Sequence, residues 1–540
     1  MDQKREVSDQ SLSEEGKIDF DHSPEKSKEV HDDNDLKANI QVAGPIPLAA
    51  WLIIVTELCE RFAYYGASML FQRYMLEKLL IAKGKATAIN RGFQFMSYIT
   101  TIFGAVVADK WLGKFKTVLI FAIVYTLGLV LLTVSAIPKL APDMGYAGFM
   151  VSLYCLLSWG TGGIKSNVST FAAEQIPDRD YAHPTKTGVT INHAISVERI
   201  FRYFYMAINV GGLLGQGITP NVTDKGWDLA FMIPAIVFVV GIIVFAAGKN
   251  KYYDRPPNGT ILGKTFRCVY YGFRHRSERP AGTHWIQGAQ PIEGQTLEWD
   301  HKFVNDLEVT YHACKVFMVY PLYWALYNNM SDNFVNMGIN MRRPHWIKPE
   351  SLSFVNSLVI VIFIPILDML VFPLLRRAGY RLGPVTRIII GFCIVSFCFI
   401  YVTVLQHFLY KTGPYYDFTG KDPNDPNHHI DVPKAGEGEA INDLTIWAQL
   451  PAYLLIGISE IFSSATGLEF AFKSAAAELK SVVMSLFLAT NAFGSLIGMI
   501  LAIWSNDPNF VYLYAAQAVA MIIMTALFAW RFAKLDDYVD

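Results

Sequence analysis

Glu57-Leu58-Cys59-Glu60-Arg61-Phe62-Ala63-Tyr64-Tyr65-Gly66 places three charges and two phenols inside an apolar run from Ile46 to Phe71. That run is long enough to cross a bilayer as a helix. On such a helix Glu57, Glu60, Arg61 and Tyr64 fall at i, i+3, i+4 and i+7 and share one face. A charge at the centre of a span costs about 2.5 to 3.5 kcal/mol, while each Leu, Ile, Val or Phe returns only about 0.3 to 0.6. Three charges outweigh the apolar residues around them. The segment therefore works as a span only if its charged face turns toward other helices or a water-filled cavity, where the charges pair with one another and with a ligand.

The rest of the chain supplies those helices. Of 540 residues, 52% are hydrophobic and 14% aromatic, while only 17% are charged, a balance that excludes the soluble globular classes. The net charge of -1 leaves no basic excess to neutralise phosphates, which excludes a nucleic-acid partner. Apolar runs of spanning length occur near 46–71, 92–112, 117–137, 147–172, 200–220 and 229–248, and again near 312–340, 351–375, 384–409, 445–468, 481–504 and 510–533. The expected fold is thus an all-α membrane protein with twelve transmembrane helices in two six-helix bundles, at 46–248 and 312–534.

The polar segments complete the plan. Residues 1–45, rich in Asp, Glu, Lys and Ser and without an apolar core segment, are expected to form a disordered tail. Residues 249–311 form a polar linker, 410–443 an exterior loop and 535–540 a second tail. Basic residues cluster at Lys110, Lys114 and Lys116, from Arg179 to Arg202, from Arg376 to Arg387 and from Arg531 to Lys534, which puts both termini in the cytoplasm. One opposite-side loop dissents, with Arg73, Lys78, Lys83, Lys85 and Arg91. Six scattered cysteines without paired spacing read as small core residues, and the exterior pair His428 and His429 reads as solvated rather than metal-binding.

Other charges interrupt the spans. Lys165 follows Gly160-Thr161-Gly162-Gly163-Ile164 in the fourth helix, where glycines permit close approach and an unpaired lysine would shed its proton. A pairing of Glu57 or Glu60 with Lys165 is expected, its partner chosen by protonation. Glu460 lies alone in an apolar run of the tenth helix, so it must take up a proton or meet a cation such as a peptide amino terminus.

Glu57-x-x-Glu60-Arg61-Phe62-x-Tyr64-Tyr65-Gly66 resembles the first-helix signature of the proton-dependent oligopeptide transporter family, a branch of the major facilitator superfamily. Further motifs carry the resemblance: Gly104-x-x-x-Ala108-Asp109-x-x-x-Gly113-Lys114 after the second helix, its echo at Asp368 and Arg376-Arg377-x-Gly379, and Phe204-Tyr205-x-x-Ile208-Asn209-x-Gly211. Ser68, Phe487 and the long stretch from Gln175 to Phe201 resemble fungal members. The resemblance implies proton-coupled symport of di- and tripeptides by alternating access, with Arg61 and Lys165 holding the peptide carboxylate and Glu460 its amino group. It adds Tyr64, Tyr65, Tyr98, Asn209, Trp324, Asn356 and Ser464 to the binding site, and the placement of polar groups in the second half offers the Asn328 amide beside them. Glu57, Glu60 and Lys165 would couple the proton, the only cofactor-like species expected.

Several positions depart from the family pattern. Ser68 replaces a second arginine of the first helix, Arg91 a histidine of the second, and Tyr327, Asn328 and Asn329 the acids of the seventh. With those outer charges absent, coupling is expected to fall on the first and fourth helices. No nucleophile with a base and no metal cluster occurs in the spans, so an enzyme is not expected. The chain is expected to act as a monomer in the plasma membrane. Alternatives are proton-coupled symport of nitrate or an organic anion, which would have little use for Glu460, and a non-transporting nutrient receptor.

Overall fold

A computed structural model describes residues 40–177, 179–182, 189–257, 259, 261–277, 283–292, 297–379, 382–423, 425, 428–433 and 439–534. The tails expected at 1–39 and 535–540 lie outside the described residues. Residues 40–42, expected within the disordered tail, instead form a strand, Ile40–Val42, that pairs in parallel with Val189–Ile191.

Twelve helical passages follow among the described residues. The first six are Leu48–Ser68, Lys83–Val107, Lys114–Ser135, Met144–Ala173, His193–Val222 and Trp227–Ala247. The seventh is broken into Tyr320–Tyr327, Asn328–Ser331 and Asn333–Ile339. The remainder are Pro349–Leu375, Pro384–Lys411, Ile446–Phe470, Lys480–Leu501 and Phe510–Phe532. Eight are long and apolar enough by themselves to cross a membrane. The first, second and seventh fall short because they carry the buried charges or polar breaks described below, and the fifth because Asn209, Gln216 and several glycines dilute its apolar run.

Each half builds its own apolar core. One runs from Ala50 to Phe245 and the other from Val316 to Phe528, and neither takes a buried residue from the other half. Apolar residues also face outward, as in the sixth helix, where Ile236, Val240 and Ile243 are exposed at i, i+4 and i+7. On a membrane helix that stripe meets lipid, which is as apolar as the core, so packing inside each half relies on shape. The fourth helix shows this: a Cβ on Gly163 would stand 2.1 Å from the Phe121 ring of the third helix.

Two helix starts differ from the hydropathy runs. The second helix begins at Lys83 and the fifth at His193, because polar turns at their ends continue the helix while bonded to other parts of the chain. Lys83 pairs with Asp507 at 2.5 Å, and Asn192 caps the fifth helix by accepting from the Ile195 N–H at 3.1 Å. The dissenting basic loop is explained in the same way, since Arg73, Lys83 and Arg91 all bind carboxylates of the second half.

The linker is folded, beyond what its polarity suggests. Helices Ile261–Arg274 and His301–Cys314 enclose Cys268, Ile286, Ala289, Phe303, Val304 and Leu307, and Leu479 of the second half closes this small core. Asp300 caps the second linker helix by accepting from the Phe303 N–H at 3.0 Å, a bond that holds its carboxyl below the usual carboxylate range.

Gly163→Ala is expected to lower stability by about 1 to 3 kcal/mol, the usual cost of forcing an extra methyl into a packed site. Thermal unfolding in detergent measures it, and adding Phe121→Ala should restore part of the loss. An unchanged melting temperature would mean that the third and fourth helices separate freely.

Candidate functional site

The charged face of the first helix turns inward. Glu57, Glu60 and Arg61 are all buried, Glu60 completely. Arg61 lies between the two acids, with Nε 3.2 Å from Glu57 Oε1 and its guanidinium paired with Glu60. Thr161 of the fourth helix donates to Glu60 Oε1 at 3.1 Å, so Glu60 is held from two sides. Glu57 Oε2 is buried without a hydrogen-bond partner among the described residues. The fifth helix packs against this face through Gly211, where a Cβ would lie 2.4 Å from the Leu58 carbonyl and 3.1 Å from Arg61 Cβ. Any larger residue there would push the arginine's helix away.

Lys165 is placed differently from the expectation. Its ammonium sits 3.8 Å from the centre of the Tyr98 ring, and no carboxylate among the described residues forms an ion pair with it. The expected pairing with Glu57 or Glu60 is thus not made in this conformation, because Arg61 already occupies both acids. Tyr64 extends the aromatic lining, with Arg61 5.2 Å from its ring centre and Tyr65 packed edge-on at 5.4 Å. Tyr64, Tyr65, Tyr98 and Lys165 are each half-buried although they lie midway along spanning helices, which places them along a cavity.

The second half contributes one acid. Asn356 Nδ2 donates to Glu460 Oε2 at 3.0 Å and to the Tyr327 hydroxyl at 3.1 Å, so helices seven, eight and ten meet at this point. A π-helical turn, Ile461–Ala465, follows Glu460 directly and contains Ser464, also half-buried. Such turns often mark functional sites in helices. Trp324 is a wall, its Nε1 donating to Thr490 at 3.1 Å and its ring edge-on to Tyr327 at 5.2 Å. Asn209 is buried at the fifth helix and donates to the Tyr205 carbonyl at 2.9 Å. The Asn328 amide donates to Asn491 at 3.3 Å and Ser495 at 3.1 Å, both on the eleventh helix.

Charges near one end of the helices also add to the sequence reading. Arg91 Nε lies 2.5 Å from Asp332 Oδ2 and its Nη2 donates to Oδ1 at 3.1 Å, with both side chains almost wholly buried. Arg73 binds Glu350 at 2.7 Å, again in a buried position. Gln72 donates to Asn336 at 2.9 Å, and Asn90 to the Ser331 carbonyl at 3.1 Å. Charges are therefore present near this end, on Arg73, Arg91, Asp332 and Glu350, and the signal for them was the cluster of basic residues in the loop that dissented from the charge pattern. These bonds join the halves across one end of the helices.

Two helical halves with separate cores, locked at one end by polar bonds and enclosing charged residues at mid-depth, define a membrane transporter of the major facilitator type. The profile of the POT family matches residues 115–519, and the chain belongs to that family. It is 37% identical over 525 residues to the peptide transporter PTR_B of Candidozyma auris, covering 94% of this chain and 86% of that protein. It is 35% identical over 511 residues to the peptide transporter PTR2 of Saccharomyces cerevisiae, covering 92% and 80%. Among solved structures, the POT family transporter PepTSo aligns with a TM-score of 0.72 at 20% identity, over 92% of this chain and all of that one. The chain is accordingly a multi-pass membrane protein and a transporter.

Asp332→Asn would leave Arg91 buried and unpaired, a change that typically costs about 3 to 5 kcal/mol. We expect a lower melting temperature and a wider opening at this end, read as longer spin-label distances between the ends of helices two and seven that carry Arg91 and Asp332. Lys83→Ala removes a more exposed pair, worth about 0 to 1 kcal/mol, and should leave both unchanged. Equal effects of the two variants would contradict a lock centred on Arg91.

Proposed function

We propose that this chain carries di- and tripeptides together with a proton across the plasma membrane by alternating access, as a monomer with both termini in the cytoplasm. The observation that carries this reading is the division of charge: Arg61 and Lys165 belong to the first half and Glu460 to the second. A short peptide is a zwitterion of fixed ends and variable side chains. Cations on one side, an acid on the other and tyrosine and tryptophan walls between them match both the constant and the variable parts. Peptide transporters among the relatives support the same substrate class.

The proton follows from charge balance. The cavity holds three carboxylates against two cations, and a zwitterion adds no net charge, so one acid remains uncompensated in a low-dielectric site. Glu57 is the residue we assign to take up the proton, since one of its oxygens lacks a partner while Glu60 is bonded to both Arg61 and Thr161. Once Glu57 is neutral, Arg61 is held by one acid rather than two and gains freedom to bind the peptide carboxylate beside Lys165. Peptide and proton arriving together from the exterior then favour closure of that side and opening toward the cytoplasm, and the emptied carrier resets by releasing the exterior lock.

A symporter of nitrate or an organic anion would use Arg61 and Lys165 but not Glu460, and a receptor would bind peptide without moving it. The geometry around Glu460 favours the peptide. Truncating one partner of a buried, hydrogen-bonded charge pair costs about 2 to 5 kcal/mol, or roughly 30-fold or more in affinity. Glu460→Gln should impose that loss on free dipeptides and spare N-acetylated ones, which have no ammonium. Equal loss for both ligand types in inhibition assays would refute the assignment of the amino-group site.

Uptake into liposomes under an imposed pH gradient tests the coupling. Glu57→Gln, fixed in the neutral form, is expected to abolish uphill uptake while exchange of peptide across the membrane continues. If the variant still concentrates peptide as the gradient is varied, Glu57 does not carry the proton.

A further inference from the structure

The linker brings His284 to Glu308 and His312, two residues of its last helix. We propose that they form a binding site for a divalent first-row transition metal, with zinc the best-fitting ion, which ties the middle of the linker to its last helix.

One ligand atom from each residue lies within 4.8 Å of the other two. Glu308 and His312 are one turn apart on the linker helix His301–Cys314, with Glu308 Oε1 3.9 Å from His312 Nε2. The third residue arrives from a different segment. His284 stands at the start of the turn Trp285–Ala289, where the Ile286 N–H approaches its Nδ1 at 3.4 Å, and its ring centre is 5.1 Å from that of His312. Ligands of a tetrahedral zinc lie about 3.3 Å from one another, so the three atoms need to close by about an ångström, within reach of side-chain rotation.

The donor set selects the ion. Two imidazoles and one carboxylate suit zinc and its neighbours, whereas magnesium and calcium prefer oxygen ligands throughout. All three residues are half-buried, so water can complete the coordination. The surroundings also resemble an outer shell: Gln287 donates to Glu308 Oε2, which leaves Oε1 on the side of His312. One neighbour competes with the metal. Lys315 Nζ lies 2.8 Å from His312 Nδ1, and a metal at Nε2 requires a proton on Nδ1, so Lys315 must turn away before the ion binds. Because Lys315 begins the connection from the linker helix into the seventh helix, metal binding is coupled to the base of a helix that carries part of the exterior lock.

The test is a zinc titration of the purified full-length protein, free of any affinity tag and stripped with a chelator, in competition with a chromophoric zinc indicator. Wild type should bind one equivalent that His284→Gln weakens at least tenfold and that magnesium at the same concentration does not displace. Lys315→Met should bind zinc more tightly than wild type, a gain that a folding defect cannot imitate. Melting temperatures measured in chelator should be alike for all three proteins. If wild type and His284→Gln bind zinc equally, or if Lys315→Met weakens binding, there is no such site.

Discussion

A guanidinium buried in a membrane protein needs an opposing charge, and in this chain Arg61 finds two on its own helix. Much of the first half is arranged around that constraint. Gly211 lets the fifth helix approach the arginine's backbone, Thr161 holds Glu60 from the fourth helix, and tyrosines line the open side. The same pairing keeps Lys165 apart from the acids, over the face of Tyr98. A cation resting on an aromatic ring is held less firmly than one in an ion pair, so it can be drawn to an arriving carboxylate at modest cost. The resting structure thus keeps one cation committed and one available.

The twelve passages and their division into halves were legible in the sequence because they rest on a coarse property, the length of apolar runs. The polar cavity was legible too, since a charge in such a run is costly wherever it occurs, and Glu57, Arg61, Lys165 and Glu460 stand out for that reason. Partner choice was not. Which acid meets which cation depends on side-chain reach across helices that are distant in sequence, and Asn328 and Lys165 illustrate the limit. From spacing alone Asn328 is an amide facing the ligand; in the fold Asn491 and Ser495 are nearer.

The buried ion pairs that join the halves at one end show a second reason for such gaps. Asp332 and Glu350 lie at the interrupted end of the seventh helix and at the start of the eighth, where hydropathy reads only the edge of a span. Arg73 and Arg91 looked like loop charges for the same reason. Their burial becomes visible only when the two halves are brought together, because each half alone would leave them in water. The linker is the opposite case: Ile261–Arg274 carries its apolar residues on one face, and with Leu479 from the second half they form a small core within a stretch that is polar on average.

That last contact has a consequence for how the molecule divides. The linker's core is completed by the second half, whereas the two large cores share no residue. In mechanical terms the linker is cargo of the second body, and the joint between bodies lies before Ile261, in the short stretch that follows the sixth helix. A protein cut there into two separately expressed chains would leave every core intact on one side or the other. The fragments would have to find each other through the packing of helices two against eleven and five against eight together with the polar bonds at one end, as two subunits of a heterodimer do.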